Sequence, residues 1–173
     1  SLWSIWNSKT KHDSLRLSAI NDIAWKVLFS APDSGFKLAQ IQIDLAHKIK
    51  MTKWESGGYN IQGVSYAVRG EYKTAMKYFE KCLELKYVEK DKKGAAATLN
   101  NISMLYENMG NYPKALEKSY EAIKIKEELK DSLGLANAYG NIAIIYDNIK
   151  EYEKAYGYYK RSIEINKKIK RND

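Results

Sequence analysis

Between Ala95 and Lys130 the apolar residues recur at three- and four-residue steps. Leu99, Ile102, Ser103, Tyr106 and Met109 fall on one face of a helix, and the run stops at Gly110, a residue suited to the left-handed turn after a helix end. Asn111 can cap a second helix, Pro113 is tolerated in its first turn, and Ala115, Ser119, Ala122, Ile123 and Leu129 supply its buried stripe. The turn is short, so the pattern predicts two antiparallel helices. No alternating strand pattern of any length occurs, and the expected strand content is near zero.

The same pattern returns with a period of 40 residues, in Tyr66, Tyr106 and Tyr146, in Tyr72, Tyr112 and Tyr152, and in Ala75, Ala115 and Ala155. A fixed period in this range marks stacked two-helix units, none of which buries its apolar face alone. The alanines, with Gly63, Ser103 and Ala143 on the partner helices, permit close helix approach while the tyrosines fill the space alongside. The first 50 residues are less regular. Phe36, Ala39, Ile43, Ala46 and Ile49 shadow the later second helices, so Lys37 to Lys50 is expected as the second helix of a divergent first repeat. Its first helix would run from Ser14 to Ser30 with Trp25, Leu28 and Phe29 buried, and Trp3 and Trp6 would cover the end of the stack.

The series Leu99, Ile102, Ser103, Tyr106, Gly110, Tyr112, Ala115, Ser119, Ala122 resembles the tetratricopeptide repeat family. One position departs, because Ser119 stands where an aromatic is usual, whereas Phe79 and Tyr159 keep it. The resemblance implies an all-α fold, a right-handed superhelical solenoid of antiparallel helix hairpins, acting as a module that binds proteins or peptides. The expected division is a capping segment with a divergent first repeat over 1–56, then repeats over 57–96, 97–136 and 137–173 in one continuous domain. The extra residues beyond the usual 34 surround Lys90 to Gly94 and Lys130 to Gly134, and glycine-marked loops between longer helices are expected there. The opening words, Asn21 to Phe29 followed by Pro32, Asp33, Ser34, Phe36 and Ala39, are similar to repeat regions of bacterial sensor proteins with a cyclase or histidine-kinase output.

In such an array the first helices line a concave side. Asn101 and Asn141 stand one residue before the core Ile102 and Ile142, with Asn108 and Asn148 two turns further on. An amide both donates and accepts, so a line of asparagines can pair with an extended peptide's backbone whatever its side chains. This resembles the asparagine ladder of long-period relatives; solvated or locally bonded asparagine is the other reading. Asn60 lies one residue out of register, with Ile61 in the ladder position. The family's carboxylate-clamping mode needs cations at Gly57, Ile61, Ala97, Asn101, Asn137 and Asn141, and none is present, while Val64, Met104 and Ile144 replace its polar partner. The candidate peptide-binding set is therefore Asn101, Asn141, Asn108, Asn148, Met104, Ile144, Asn60, Val64 and Asn137.

Composition narrows the chemistry. The 173 residues carry 29 Lys and Arg against 21 Asp and Glu, a net charge of +8 that invites a nucleic-acid reading. The lysines are interleaved with glutamates, as in Glu80, Lys81, Glu84, Lys86, Glu89 and Lys90, which suits solvated helix faces, and only Lys167, Lys168, Lys170 and Arg171 form a one-signed end. No nucleic acid is expected as a partner. The single Cys82 falls on an apolar stripe beside Phe79 and Leu85 and reads as a buried hydrophobe. His12 and His47 read as surface residues, Gly57 and Gly58 lack the pattern and lysine of a phosphate loop, and no carboxylate pair marks a cleft. The chain is expected to be no enzyme, and no cofactor or metal site is expected.

No apolar run approaches the length that spans a bilayer. The chain begins at Ser1, so either a leader has been removed or the piece belongs to something longer, periplasmic or cytoplasmic. The last second helix repeats the inward stripe in Ala155, Tyr156, Tyr159, Ile163 and Ile169 with no following helix, so the natural protein is expected to continue, and in isolation this edge could drive self-association through Tyr156, Tyr159 and Ile163. The favoured function is peptide binding in a bacterial signalling protein; an intracellular scaffold and a self-assembling array are the alternatives.

Overall fold

A computed structural model defines the backbone of residues 1–172 and the side chains of residues 1–170. The expected side chains of Arg171 and Asp173 lie outside the described residues. Among the described residues there is helix and no strand. Two compact units are formed, Ser1–Lys90 and Asp91–Asp173. The first holds α1 (Leu2–Asn7), α2 (Asp13–Leu28), α3 (Pro32–Lys48), α4 (Thr52–Val68) and α5 (Tyr72–Val88). The second holds α6 (Lys92–Asn108), α7 (Tyr112–Glu128), α8 (Ser132–Asn148) and α9 (Tyr152–Asn172). Within each unit successive helices form antiparallel hairpins of the TPR-like solenoid class.

From Pro32 onward helices begin at 32, 52, 72, 92, 112, 132 and 152, so each 40-residue hairpin is two helix-plus-turn units of equal length. The residue in the middle of each three-residue turn has positive φ: Lys50, Gly70, Lys90, Gly110, Lys130 and Lys150. In each hydrogen-bonded example the next residue's amide reaches back five residues, as Asn111 N donates to Tyr106 O at 2.8 Å and Asp131 N to Lys126 O at 3.0 Å. That closure satisfies carbonyls left open at the helix end and forces the left-handed residue. A lysine there carries strain of roughly 1–2 kcal/mol that a glycine escapes, offset partly by glycine's greater freedom when unfolded. Lys130→Gly is therefore expected to stabilise the second unit by about 0.5–1 kcal/mol, measured by urea titration, whereas Gly110→Ala should destabilise it.

The turns correct one expectation. Gly94 and Gly134 are not loop residues; they lie in the first turns of α6 and α8, where their amides donate to Asp91 Oδ1 at 2.8 Å and Asp131 Oδ1 at 2.9 Å. The aspartates cap these helices, and a Cβ on Gly134 would come within 2.1 Å of Asp131 Oδ2. Asn111 caps α7 as its position predicts, its side-chain Oδ1 accepting from Lys114 N at 3.3 Å.

In the first unit Ala24, Leu28, Ala39 and Ile61 form a buried cluster flanked by Trp25, Leu38 and Val64. In the second, Ile123, Ala138 and Ile142 are flanked by Leu116, Leu135, Tyr139, Tyr146 and Tyr158. Ala75, Ala115, Ala155 and Cys82 are buried, as the spacing predicts. Phe29 is not: α2 ends at Leu28, and the ring beyond it is 71% exposed. Met109 and Leu129, expected on buried stripes, occupy the caps just past α6 and α7 and are exposed. Helical periodicity ceases to direct a side chain once the helix has ended. Trp6 is half-buried under the Arg16 guanidinium at 5.2 Å, while Trp3 remains exposed.

Each hairpin solves its closest approach with different residues. At α4 and α5 a glycine faces an aromatic ring, since a Cβ on Gly63 would lie 2.7 Å from Phe79 Cε1. At α6 and α7 both partners are small: Ser103 and Ser119 are joined through their hydroxyls at 2.7 Å, and Ser103 Oγ donates to Ala115 O at 2.8 Å. Ser119, the residue that departs from the family's pattern, is thus accommodated by a buried hydrogen bond in place of ring packing.

Candidate functional site

Of the candidate binding residues, seven fall in the second unit on α6 and α8. Along α6 run Asn101, Met104 and Asn108; at the equivalent places on α8 run Asn141, Ile144 and Asn148, preceded by Asn137. Steps of three and four residues put each set on one helical face. The opposite faces are committed to the core through Leu99, Ile102, Leu105, Ala138, Ile142 and Ile145. Met104 is 51% and Ile144 43% exposed, two large apolar side chains at matching positions outside the core. Asn101 and Asn141 beside them are half-buried, and Asn108, Asn137 and Asn148 are exposed.

Asn148 is engaged locally: its Nδ2 donates to Glu107 Oε1 at 2.9 Å and ties the C-terminal ends of α6 and α8 together. Burial pushes the Glu107 carboxyl above the usual carboxylate range, and the Asn148 amide pulls it back in part. For Asn148 the local-bonding reading therefore holds in this structure. Asn60 and Val64 lie on α4 in the first unit; Asn60 is half-buried, and Val64 packs against the cluster of Ala24, Leu28, Ala39 and Ile61.

A second feature escaped the sequence reading. In the first unit Tyr66 and Tyr78 stack with centroids 5.3 Å apart, Phe36 meets both edge-on, and Lys81 lies over Tyr59 and Tyr78. In the second, Tyr146 and Tyr158 stack at 5.5 Å and Arg161 lies over Tyr158 and Tyr139. Tyr59, Tyr66, Tyr78 and Lys81 recur eighty positions on as Tyr139, Tyr146, Tyr158 and Arg161. The hairpin between has Leu99, Tyr106, Lys118 and Glu121, with a Lys118 to Glu121 ion pair at 2.7 Å instead. Matching every second repeat rather than every repeat would have found it. Tyr120 adds its hydroxyl to those of Tyr158 at 2.8 Å and Tyr146 at 3.1 Å, and burial with these bonds pushes its phenol well above the usual range. Stacking and cation contact fasten one helix to the next here.

Little else in the structure suggests chemistry. His47 Nδ1 stands 3.1 Å from Glu55 Oε1 in a cleft shared with Gln40, Ile43, Asp44 and Tyr59. Among the described residues no group of three or more His, Cys, Asp or Glu is placed to hold a metal ion, and no helix is long and apolar enough to cross a membrane.

The repeat geometry agrees with comparison of the sequence to family models, where the tetratricopeptide repeat matches residues 58–128 and 94–168. The chain belongs to the tetratricopeptide repeat family. Repeats of this family form protein- and peptide-binding modules, and their fold is typically non-catalytic. No curated protein matches the sequence. Among solved structures, the chain is similar to aspartyl phosphate phosphatase F from Bacillus subtilis, at TM-score 0.85 and 17% identity over 92% of this chain and 42% of that one. It is also similar to BtubC (BKLC) from P. vanneervenii, at TM-score 0.80 and 15% identity over 98% and 70%. A third likeness is to a Signal Transduction ATPase with Numerous Domains protein with a tetratricopeptide repeat sensor from Pyrococcus horikoshii, at TM-score 0.79 and 18% identity over 91% and 25%. Identities this low carry the fold alone. The chain spans less than half of the phosphatase and a quarter of the ATPase.

Proposed function

We propose that this repeat module receives an extended peptide segment along the exposed faces of α6 and α8, and that it serves as the sensory or regulatory region of a larger bacterial signalling protein of the cyclase or histidine-kinase type. The observation that carries the binding reading is the exposure of Met104 and Ile144 at equivalent positions, each flanked by asparagines at matching spacing. Folding does not require large apolar side chains on that face. Each amide offers a peptide backbone N–H donors and a carbonyl acceptor, and the apolar pair covers its side chains. The signalling context is supported by the similarity of the opening residues to bacterial sensor regions and by the fold shared with a protein whose repeats are a sensor.

Each amide pairing contributes about 0.5–1.5 kcal/mol, so loss of two weakens binding by roughly five- to 150-fold. Peptides selected from a random-sequence display library on the native chain are expected to lose that affinity for the Asn101→Ala/Asn141→Ala variant. The variant's melting temperature should stay within about 4 °C of the native value, because the two half-buried amides lie outside the core and their truncation costs about 1 kcal/mol or less. Equal affinity for both proteins would remove the amides from the site.

A further inference from the structure

The groove between α7 and α8 is filled. Leu135, Tyr139 and Ile142 pack with Ile123, and the Tyr120 hydroxyl bonds those of Tyr158 and Tyr146 beside them. Eighty positions earlier, between α3 and α4, Ile43 and Tyr59 keep their places, but Gln40, Glu55 and Gln62 stand where Tyr120, Leu135 and Ile142 would be. Asp44 replaces Lys124, and His47 replaces Glu127. At this place the first unit has an open cleft of about 350 Å³, lined by Gln40, Ile43, Asp44, His47, Glu55 and Tyr59. The neighbouring rings are unchanged, Tyr66 stacking on Tyr78 as Tyr146 does on Tyr158. The scaffold around the groove is shared, and its filling is not.

The polar walls are held in place from behind. Gln62 is fully buried where Ile102 and Ile142 stand in the later repeats; its Nε2 donates to Gln40 Oε1 at 2.9 Å, and its own Oε1 has no hydrogen-bond partner. Gln40 Nε2 in turn donates to Asp44 Oδ1 at 2.8 Å. A buried amide with an open carbonyl weakens a core that isoleucine would strengthen. What Gln62 provides instead is a fixed Gln40 and, through it, a fixed Asp44. On the α4 wall Glu55 is joined to His47 Nδ1 at 3.1 Å, with 15% of its side chain exposed. Burial, then the charges of Glu55 and Asp44, push the Tyr59 phenol above its usual range, so its hydroxyl stands in the field of both carboxylates. The Lys81 ammonium lies over the Tyr59 ring at 5.3 Å, which leaves the carboxylates to a ligand. Among the described residues no three His, Cys, Asp or Glu are placed to hold a metal ion, so the acceptors suit an organic cation. We propose that this cleft binds a guanidinium group, that of an arginine, between the Asp44 and Glu55 carboxylates, with Ile43 against its alkyl stem. Carboxylates carried by two helices match a planar fork of five donors, and the weakly hydrated guanidinium gives up less than an ammonium on entering a half-open site.

The cleft belongs to the first unit and does not rest on the peptide face of α6 and α8. Nuclear magnetic resonance titration of the chain with N-acetyl-arginine amide is expected to give saturable shifts at His47 and Tyr59, with a dissociation constant of about 1 mM for a ligand of this size. N-acetyl-citrulline amide, its neutral counterpart, should bind about tenfold more weakly or less. Free L-arginine binding about tenfold tighter than the blocked form would assign the cleft to the amino acid, and equal or weaker binding to an arginine within a peptide. Glu55→Gln and Asp44→Asn should each lower affinity about fivefold or more, with unchanged helical circular dichroism. Gln62→Ile reads positioning: its melting temperature should rise while affinity falls about threefold or more, a pairing of signs that a glutamine serving the fold alone would not give. Gln40→Tyr/Glu55→Leu/Gln62→Ile, which rebuilds the filled groove of the second unit, should abolish binding in a folded chain. No saturable shift with N-acetyl-arginine amide at about ten times the expected constant overturns the proposal. So does equal binding of the citrulline compound, or native affinity in Glu55→Gln, and equal binding of N-acetyl-lysine amide overturns the choice of guanidinium.

Discussion

Replacing Ile142 by alanine is expected to remove about 2–5 kcal/mol of stability, whereas the same change at Ile144 should cost about 0.5 kcal/mol or less. The two residues share a helix and a side-chain type. Ile142 has no exposed surface and packs with Ile123 and Ala138, edged by residues of α7, α8 and α9. Its truncation leaves a cavity that three helices must close. Ile144 stands on the other face, where its methyl groups meet solvent. At about 2–4 °C per kcal/mol the contrast amounts to a melting shift of roughly 5–20 °C against almost none. Similar losses at both sites would mean that the exposed apolar pair is part of the fold, and would remove the main support for a binding face there.

The second large effect concerns Gly63 and Phe79. Gly63→Ser drives a side chain into the buried Phe79 ring, since even a Cβ would lie 2.7 Å from it, and overpacking of this kind costs about 1–3 kcal/mol. Phe79→Ser alone empties a fully buried site at about 3–5 kcal/mol. Together the two changes install the serine pair that α6 and α7 already use, with hydroxyls 2.7 Å apart. The combined cost is expected to fall below the sum of the separate ones by about 0.5–3 kcal/mol, measured by a denaturant double-mutant cycle. Simple additivity would show that the positions are not a matched pair.

The repeat was legible because its carriers, Ala75, Ala115 and Ala155, are buried wherever the period puts them. Helix ends were legible where Gly110 and Asn111 mark them and not where a lysine stands in the turn. A lysine signals no left-handed conformation, yet Lys50, Lys90, Lys130 and Lys150 adopt it because the turn's hydrogen bonds demand it. Gly94 and Gly134 looked like loop residues, when their role is to leave room for capping aspartates three positions earlier. Phe29, Met109 and Leu129 fit an apolar stripe on paper and fall just past the last helical residue. For the candidate site, the face of the asparagines followed from helical spacing. The bond of Asn148 to Glu107 did not, because it joins residues 41 positions apart and depends on how two helices lie together.

On the proposed function, the module meets its peptide on the faces of α6 and α8 that bear Asn101, Asn141, Met104 and Ile144. The most direct measurement is a nuclear magnetic resonance titration with a display-selected peptide, following side-chain amide signals of the asparagines and methyl signals of Met104 and Ile144. Saturable shifts are expected at Asn101, Asn137, Asn141, Met104 and Ile144, with Asn60 and Ile163 unmoved. Shifts confined to the α9 stripe or to the first unit, with the α6 and α8 signals unchanged, would contradict it.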